Sequence, residues 1–101
     1  MTNMEIATEI YNQMRILDPN LVMCMGVQKL CTVERGLQFC VNGLSFKGIV
    51  QIKLNGGDLY DISFIKPARG KNPARVLETI NDVFAEDMME FLESKVENRG
   101  N

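Results

Sequence analysis

Histidine is missing from this chain of 101 residues. The commonest general base and the commonest zinc ligand are therefore both unavailable. Long apolar runs are missing too. A membrane helix needs about 18 or more consecutive apolar residues, and no such stretch occurs. The segment Met1-Thr2-Asn3-Met4-Glu5 lacks the basic and apolar regions of a signal peptide, so a cytoplasmic protein with no membrane contact is expected. Cysteine is sparse: Cys24, Cys31 and Cys40 make an odd number, and no pair has CxxC spacing. Each lies among apolar neighbours, which predicts three small hydrophobes in a core. There is no Ser/His/Asp or Cys/His set, no GxGxxG, no phosphate-binding P-loop and no metal-ligand spacing. A non-enzyme is expected, with no cofactor and no metal.

What is present is ordinary for a folded protein. Apolar residues make up 46% and charged residues 24%, which argues against disorder. The length suits one domain over residues 1–101, with 98–101 expected as a frayed tail. A net charge of −2 gives no global pull toward nucleic acid.

The middle of the chain carries the clearest pattern. Leu37, Phe39 and Val41 alternate with polar or small residues, as do Val50, Ile52 and Leu54, and Tyr60, Ile62 and Phe64. Successive side chains of a strand point to opposite faces, so this alternation predicts half-buried strands. Asn42-Gly43 and Asn55-Gly56-Gly57-Asp58 punctuate them and suit tight turns. Gly48, in Phe46-Lys47-Gly48, is expected to mark a bulge or bend.

Helical signals flank this meander. Thr2 and Glu5 have capping-box spacing, and Ile6, Ile10, Met14 and Leu17 recur at helical intervals. A helix over about 3–17 follows, ended by Asp18-Pro19-Asn20. The apolar run Leu21-Val22-Met23-Cys24-Met25 is short and predicts a buried strand, with Met23 and Met25 on one face. Gly26 to Val33 fits either a strand or a turn of helix. Near the end, the β-branched stretch Val76-Leu77-Glu78-Thr79-Ile80 predicts a fifth strand. A helix restarting near Asp82 would gather Phe84, Met88, Phe91, Leu92 and Val96 on one face. Glu86, Asp87, Glu90, Glu93 and Glu97 would form the opposite one. Strand followed by helix fits this change of pattern better than one long helix.

Charge and methionine supply the candidate surfaces. Lys66, Arg69, Lys71 and Arg75 cluster around a loop holding Pro67, Gly70 and Pro73. Two prolines and one glycine do not make a nest of backbone amides, but the cations could contact a nucleic-acid backbone. No aromatic residue interleaves with them to stack on bases. Met88, Met89 and Leu92 form a candidate apolar edge for self-association. The acidic side of the last helix reads first as the wet side of an amphipathic helix, with a partner carrying a basic groove, or DNA mimicry, as the alternatives. Asp58 and Asp61, three apart on a strand, point to opposite faces and are not expected to act as a carboxylate pair. Asp58 is expected instead to bond its own backbone in a turn.

A final set of residues adds a likeness. Met1-Thr2, Ile6-Ala7, Ile10 and Gln13-Met14 begin it, and Met25-Gly26 and Gly43-Leu44-Ser45-Phe46-Lys47 continue it. Ile52 to Phe64 and Asp82 to Met88 complete it. The chain resembles a family of small uncharacterised proteins of bacteriophages and integrated mobile elements. The resemblance spans nearly the whole chain. It implies a strand ahead of Asp82 and a phage or mobile-element origin in a bacterium. It carries over no activity and no functional residue. Family members end in an apolar segment, whereas this chain ends Glu97-Asn98-Arg99-Gly100-Asn101.

The expected fold is α+β: an N-terminal helix, an antiparallel meander of four to five strands and a C-terminal amphipathic helix, with both helices on one sheet face. The expected function is interaction or assembly, with self-association as the first reading. A nucleic-acid accessory role through the basic hairpin loop is the alternative.

Overall fold

The computed structural model describes residues 1–97. The expected tail at 98–101 lies outside them. Helix α1 spans Asn3–Leu17 and begins at a complete capping box. The Glu5 amide donates to Thr2 Oγ1 at 3.1 Å, and the Thr2 amide donates to Glu5 Oε1 at 2.9 Å. Ile6, Ala7, Ile10 and Met14 form its buried stripe.

Asp18 then does two jobs. Its amide donates to the Met14 carbonyl and closes α1, while its Oδ1 accepts from the Leu21 amide at 3.0 Å. The second bond opens a short helix α2, Pro19–Cys24, with proline in the first turn where no amide is needed. The strand expected over residues 21–25 is therefore corrected to a helix. A short apolar run does not distinguish the two, and the Asp-Pro pair both stops one helix and starts the next. Met23 and Met25 consequently face opposite ways, at 80% and 0% exposure. Gly26 turns the chain with φ +63°, and the Met25 carbonyl accepts from Asn42.

The ambiguous stretch resolves as strand β1, Gln28–Val33. It is followed by β2 Gly36–Asn42, β3 Lys47–Leu54, β4 Tyr60–Lys66 and β5 Arg75–Val83. All neighbours are antiparallel in the order β1-β2-β3-β4-β5, so the sheet is a five-stranded meander. The β2–β3 register runs unbroken through Val41↔Gly48 and Asn42↔Lys47, and Gly48 makes no bulge there. Gly48 instead leaves room for the Phe46 ring, which a side chain at position 48 would strike. That ring meets Phe64 edge-on, with centroids 5.7 Å apart. The ladder is broken in β1–β2 between Gln28 and Cys31, and at two places in β4–β5.

After β5 come a 3₁₀ turn Ala85–Asp87, helix α3 Met88–Leu92 and a π turn Glu93–Glu97. This mixed winding does not keep one helical period, so the expected two-faced pattern shifts. Met88, Met89, Leu92 and Val96 are buried, whereas Phe84 and Phe91 are exposed. Glu97, expected on the wet side, is 3% exposed. Its Oε2 accepts from the Leu44 amide, and the Val96 carbonyl accepts from Ser45 and Phe46. The π turn thus docks on the β2–β3 loop. Gly43 makes the approach possible, because a Cβ there would collide with Val96 and Glu97.

The helices and strands share one core. Ile6, Ile10 and Met14 of α1, Phe39, Val50, Ile52 and Ile62 of the sheet, and Met88 and Leu92 of α3 all belong to one buried cluster. No buried side-chain polar atom lacks a hydrogen-bond partner among the described residues. No helix among them is long and apolar enough to cross a membrane.

Candidate interaction surfaces

Residues paired across antiparallel strands share a face, so the registers lay out the side of the sheet that the helices do not cover. One row is Cys40↔Ile49↔Ile65↔Val76. The next is Cys31↔Gln38↔Gln51↔Ser63↔Thr79, tied by a Gln51–Gln38 side-chain bond at 2.9 Å and a Ser63–Thr79 hydroxyl contact at 3.1 Å. Beyond it lies Gly36↔Lys53↔Asp61. The outer face therefore grades from apolar through neutral polar to charged. Ile49 and Ile65 are absent from the core cluster and half-buried.

The cysteines depart from the expected core placement. Cys31 and Cys40 stand at outward positions of their strands, and Cys24 is on the wet side of α2. All three are free thiols. Their apolar neighbours in sequence are not their neighbours across the sheet.

The basic residues come together as the sequence indicated. Lys66 and Arg75 are register partners where β4 and β5 begin to part. Farther out, Arg69 and Asn72 exchange two backbone hydrogen bonds of 2.9 Å each, which closes a tight tip. Gly70, at φ +57°, and Lys71 form that tip. Between the tip and the ladder, Pro67 and Pro73 face a gap without ladder bonds. Lys66, Arg69, Asn72 and Arg75 line the resulting cleft with the two prolines. Lys71 stands outside it. The four cations are exposed, and none makes an ion pair among the described residues. Glu78 on the same strand is engaged by Lys95 at 2.9 Å.

Met88, Met89 and Leu92 do not form the exposed edge the sequence suggested. Their exposures are 0%, 5% and 0%, because α3 packs beside α1 and turns them into the core cluster. Any self-association uses another surface.

The acids are arranged structurally. Asn55 Oδ1 accepts from the Gly57 and Leu59 amides and so shapes the β3–β4 turn. Asp58 takes the left-handed conformation there, at φ +61°, and the turn-bonding role expected of it belongs to Asn55. Asn55 Nδ2 donates to Asp61 Oδ1 at 3.0 Å and to Asp82 Oδ1 at 2.8 Å. Asp61 Oδ1 also accepts from the Asp82 amide. Asp61 thus pairs with Asp82 rather than Asp58, a contact across β4 and β5 that linear spacing does not reveal. No group of three or more His, Cys, Asp or Glu able to hold a metal occurs among the described residues.

Two titrating groups are shifted among the described residues. The Thr2 backbone amide, then the Thr2 hydroxyl, hold the Glu5 carboxyl below its ordinary value. Burial, then the charge of Glu9, push the Tyr60 phenol above its ordinary value. The Tyr60 hydroxyl donates to Gln13 Oε1 at 2.7 Å and ties β4 to α1.

These features define a two-layer α+β protein with one face of its meander bare and a cationic hairpin at one corner. No protein-family model, curated protein or solved structure matches the chain. The resemblance drawn above rests on the sequence alone.

Proposed function

We propose that this protein is a non-enzymatic assembly module that self-associates through the uncovered face of its sheet. One observation carries the reading: Cys40, Ile49, Ile65 and Val76 form an apolar row across four strands on the side the helices leave open. Fully burying an exposed isoleucine is worth about 1.5–3 kcal/mol, so completing the burial of the half-covered Ile49 and Ile65 together with the exposed Val76 favours a cover. The face measures roughly 24 by 20 Å from ordinary strand spacing and rise. Side-chain relief raises its accessible area toward the standard interface of about 800 Å² per partner. A second copy is the simplest cover, because most soluble oligomers are homo-oligomers. A cytoplasmic setting in a bacterial or phage-infected cell belongs to the same proposal and is supported by the sequence reading.

Sedimentation of the wild type and of Ile49→Lys/Ile65→Lys tests it. The wild type should show concentration-dependent association, and the variant should stay monomeric with its melting cooperativity kept. A wild type that is monomeric throughout would refute self-association.

A further inference from the structure

We propose that the cleft of the β4–β5 hairpin is an oxyanion site that takes a phosphate group, presented by a nucleic-acid backbone or carried by a free polyphosphate. This site is separate from the apolar row and does not depend on self-association.

Three observations converge on it. First, Lys66, Arg69 and Arg75 line one concavity of about 540 Å³, with the Asn72 side chain as a neutral neighbour. Second, none of the three cations is neutralised by a carboxylate among the described residues. The acid nearest in sequence, Glu78, is held by Lys95. Like charges gathered without a counter-charge repel one another, and an anion in the cleft relieves that repulsion. Third, the cleft is built before any ligand arrives. The reciprocal Arg69–Asn72 bonds lock the tip. Pro67 and Pro73 fix their own φ angles and carry no amide with which to close ladder bonds between the two arms. A preorganised site loses less ordering entropy on binding.

The chemistry of the cations selects the ligand. Two guanidinium forks match the paired oxygens of a phosphate, and the lysine adds a point charge. No aromatic ring lines the cleft, so bases have nothing to stack on and any nucleic acid would be held by its backbone. The anion is bound by side chains here, which is why the shortage of glycine amides in the loop does not exclude it.

The test uses the full chain and two probes. A labelled single-stranded DNA oligomer is followed by anisotropy at low salt, and pyrophosphate is titrated while backbone amide shifts are recorded. The variants are Arg69→Gln/Arg75→Gln and Arg69→Lys/Arg75→Lys. Both substituted side chains, Arg69 and Arg75, are exposed, so melting temperatures should hold and report any misfolding. The oligomer should bind with a log–log salt slope of about −2, from three cations at about −0.7 each. The glutamine variant should bind about tenfold or more weaker, with the slope falling toward that of one cation. The lysine variant should keep most of the slope and lose part of the affinity, because the forks are gone. Pyrophosphate binding that maps to residues 66–75 without oligomer binding would assign the site to a small anion. Failure of both probes, or binding unchanged in the glutamine variant, would overturn the proposal.

Discussion

Phe39 and Cys40 are adjacent in one strand, yet they occupy different physical worlds. Phe39 is fully buried in the core that the helices share with the sheet, and Cys40 lies half-covered on a face that no element packs against. The same contrast separates Val50 from Ile49 and Phe64 from Ile65. Alternation along the strand creates two faces, but it does not decide which one is covered. The helices decide that, and they all lie on one side. The covered face explains why the chain folds, and the bare face is where a partner has room.

Truncating each member of such a pair gives the sharpest view of the difference. Phe39→Ala should lose about 3–5 kcal/mol, by removing a buried ring and leaving a cavity. Cys40→Ala should lose less than about 1 kcal/mol in a dilute sample. Urea unfolding measures both. Comparable losses would mean that the outer face is already covered in solution.

Gly43→Ala should come next, at about 1–3 kcal/mol. The added Cβ would push away the Val96–Glu97 turn that seals the covered side. Amide exchange should accelerate at Ser45 and Phe46, which donate to the Val96 carbonyl, before it changes in β2 or β4. Uniform acceleration throughout the sheet would show that the turn is not a separate latch.

Much of this contrast was legible in the sequence, and the reasons for success and failure are local. Period-two alternation located β2, β3 and β4, because one face of each is buried and the other is not. The β-branched stretch at 76–80 located β5, and the Thr2–Glu5 spacing located the start of α1. Residues 21–25 failed because a short apolar run carries no period. The signal present was Asp18-Pro19, which also reads as a helix start. The last segment failed because its winding passes from 3₁₀ to α to π, so no single wheel describes it. The cationic cluster was visible because its members are close in sequence. The apolar row was not, because Cys40, Ile49, Ile65 and Val76 become neighbours only through strand register. Each stands beside a stronger core residue or, for Val76, in a strand whose pairing is bulged.

The charged end of the outer face gives a smaller effect. Asn55→Ala removes two turn bonds and the amide that bridges Asp61 and Asp82. A loss of about 1–2 kcal/mol is expected. Part of it should return at high salt, which screens the two carboxylates left facing each other. A loss that ignores salt would place the whole effect in the turn.

The smallest expected effect lies at the entrance to α1, far from both faces, and it serves as the control. Glu5 is held below its ordinary value of 4.5 by its bonds with Thr2. A depressed folded value means that the unfolded chain binds its proton first as pH falls. The associated stability is therefore fully present above 4.5 and disappears as pH drops through the lower folded value. Glu5→Gln should be slightly less stable than the wild type near neutrality, and the gap should close in acid, where both side chains are uncharged. Thr2→Ala should cost about 1 kcal/mol near neutrality through the lost cap. It should keep the larger part of the pH dependence that Glu5 contributes, because the backbone amide of residue 2, the main cause of the shift, is still present. Parallel melting curves of the three proteins across that pH range measure the closure. A gap that stays constant into acid would mean that the Glu5 charge contributes nothing, and that the capping box holds α1 by neutral hydrogen bonds alone.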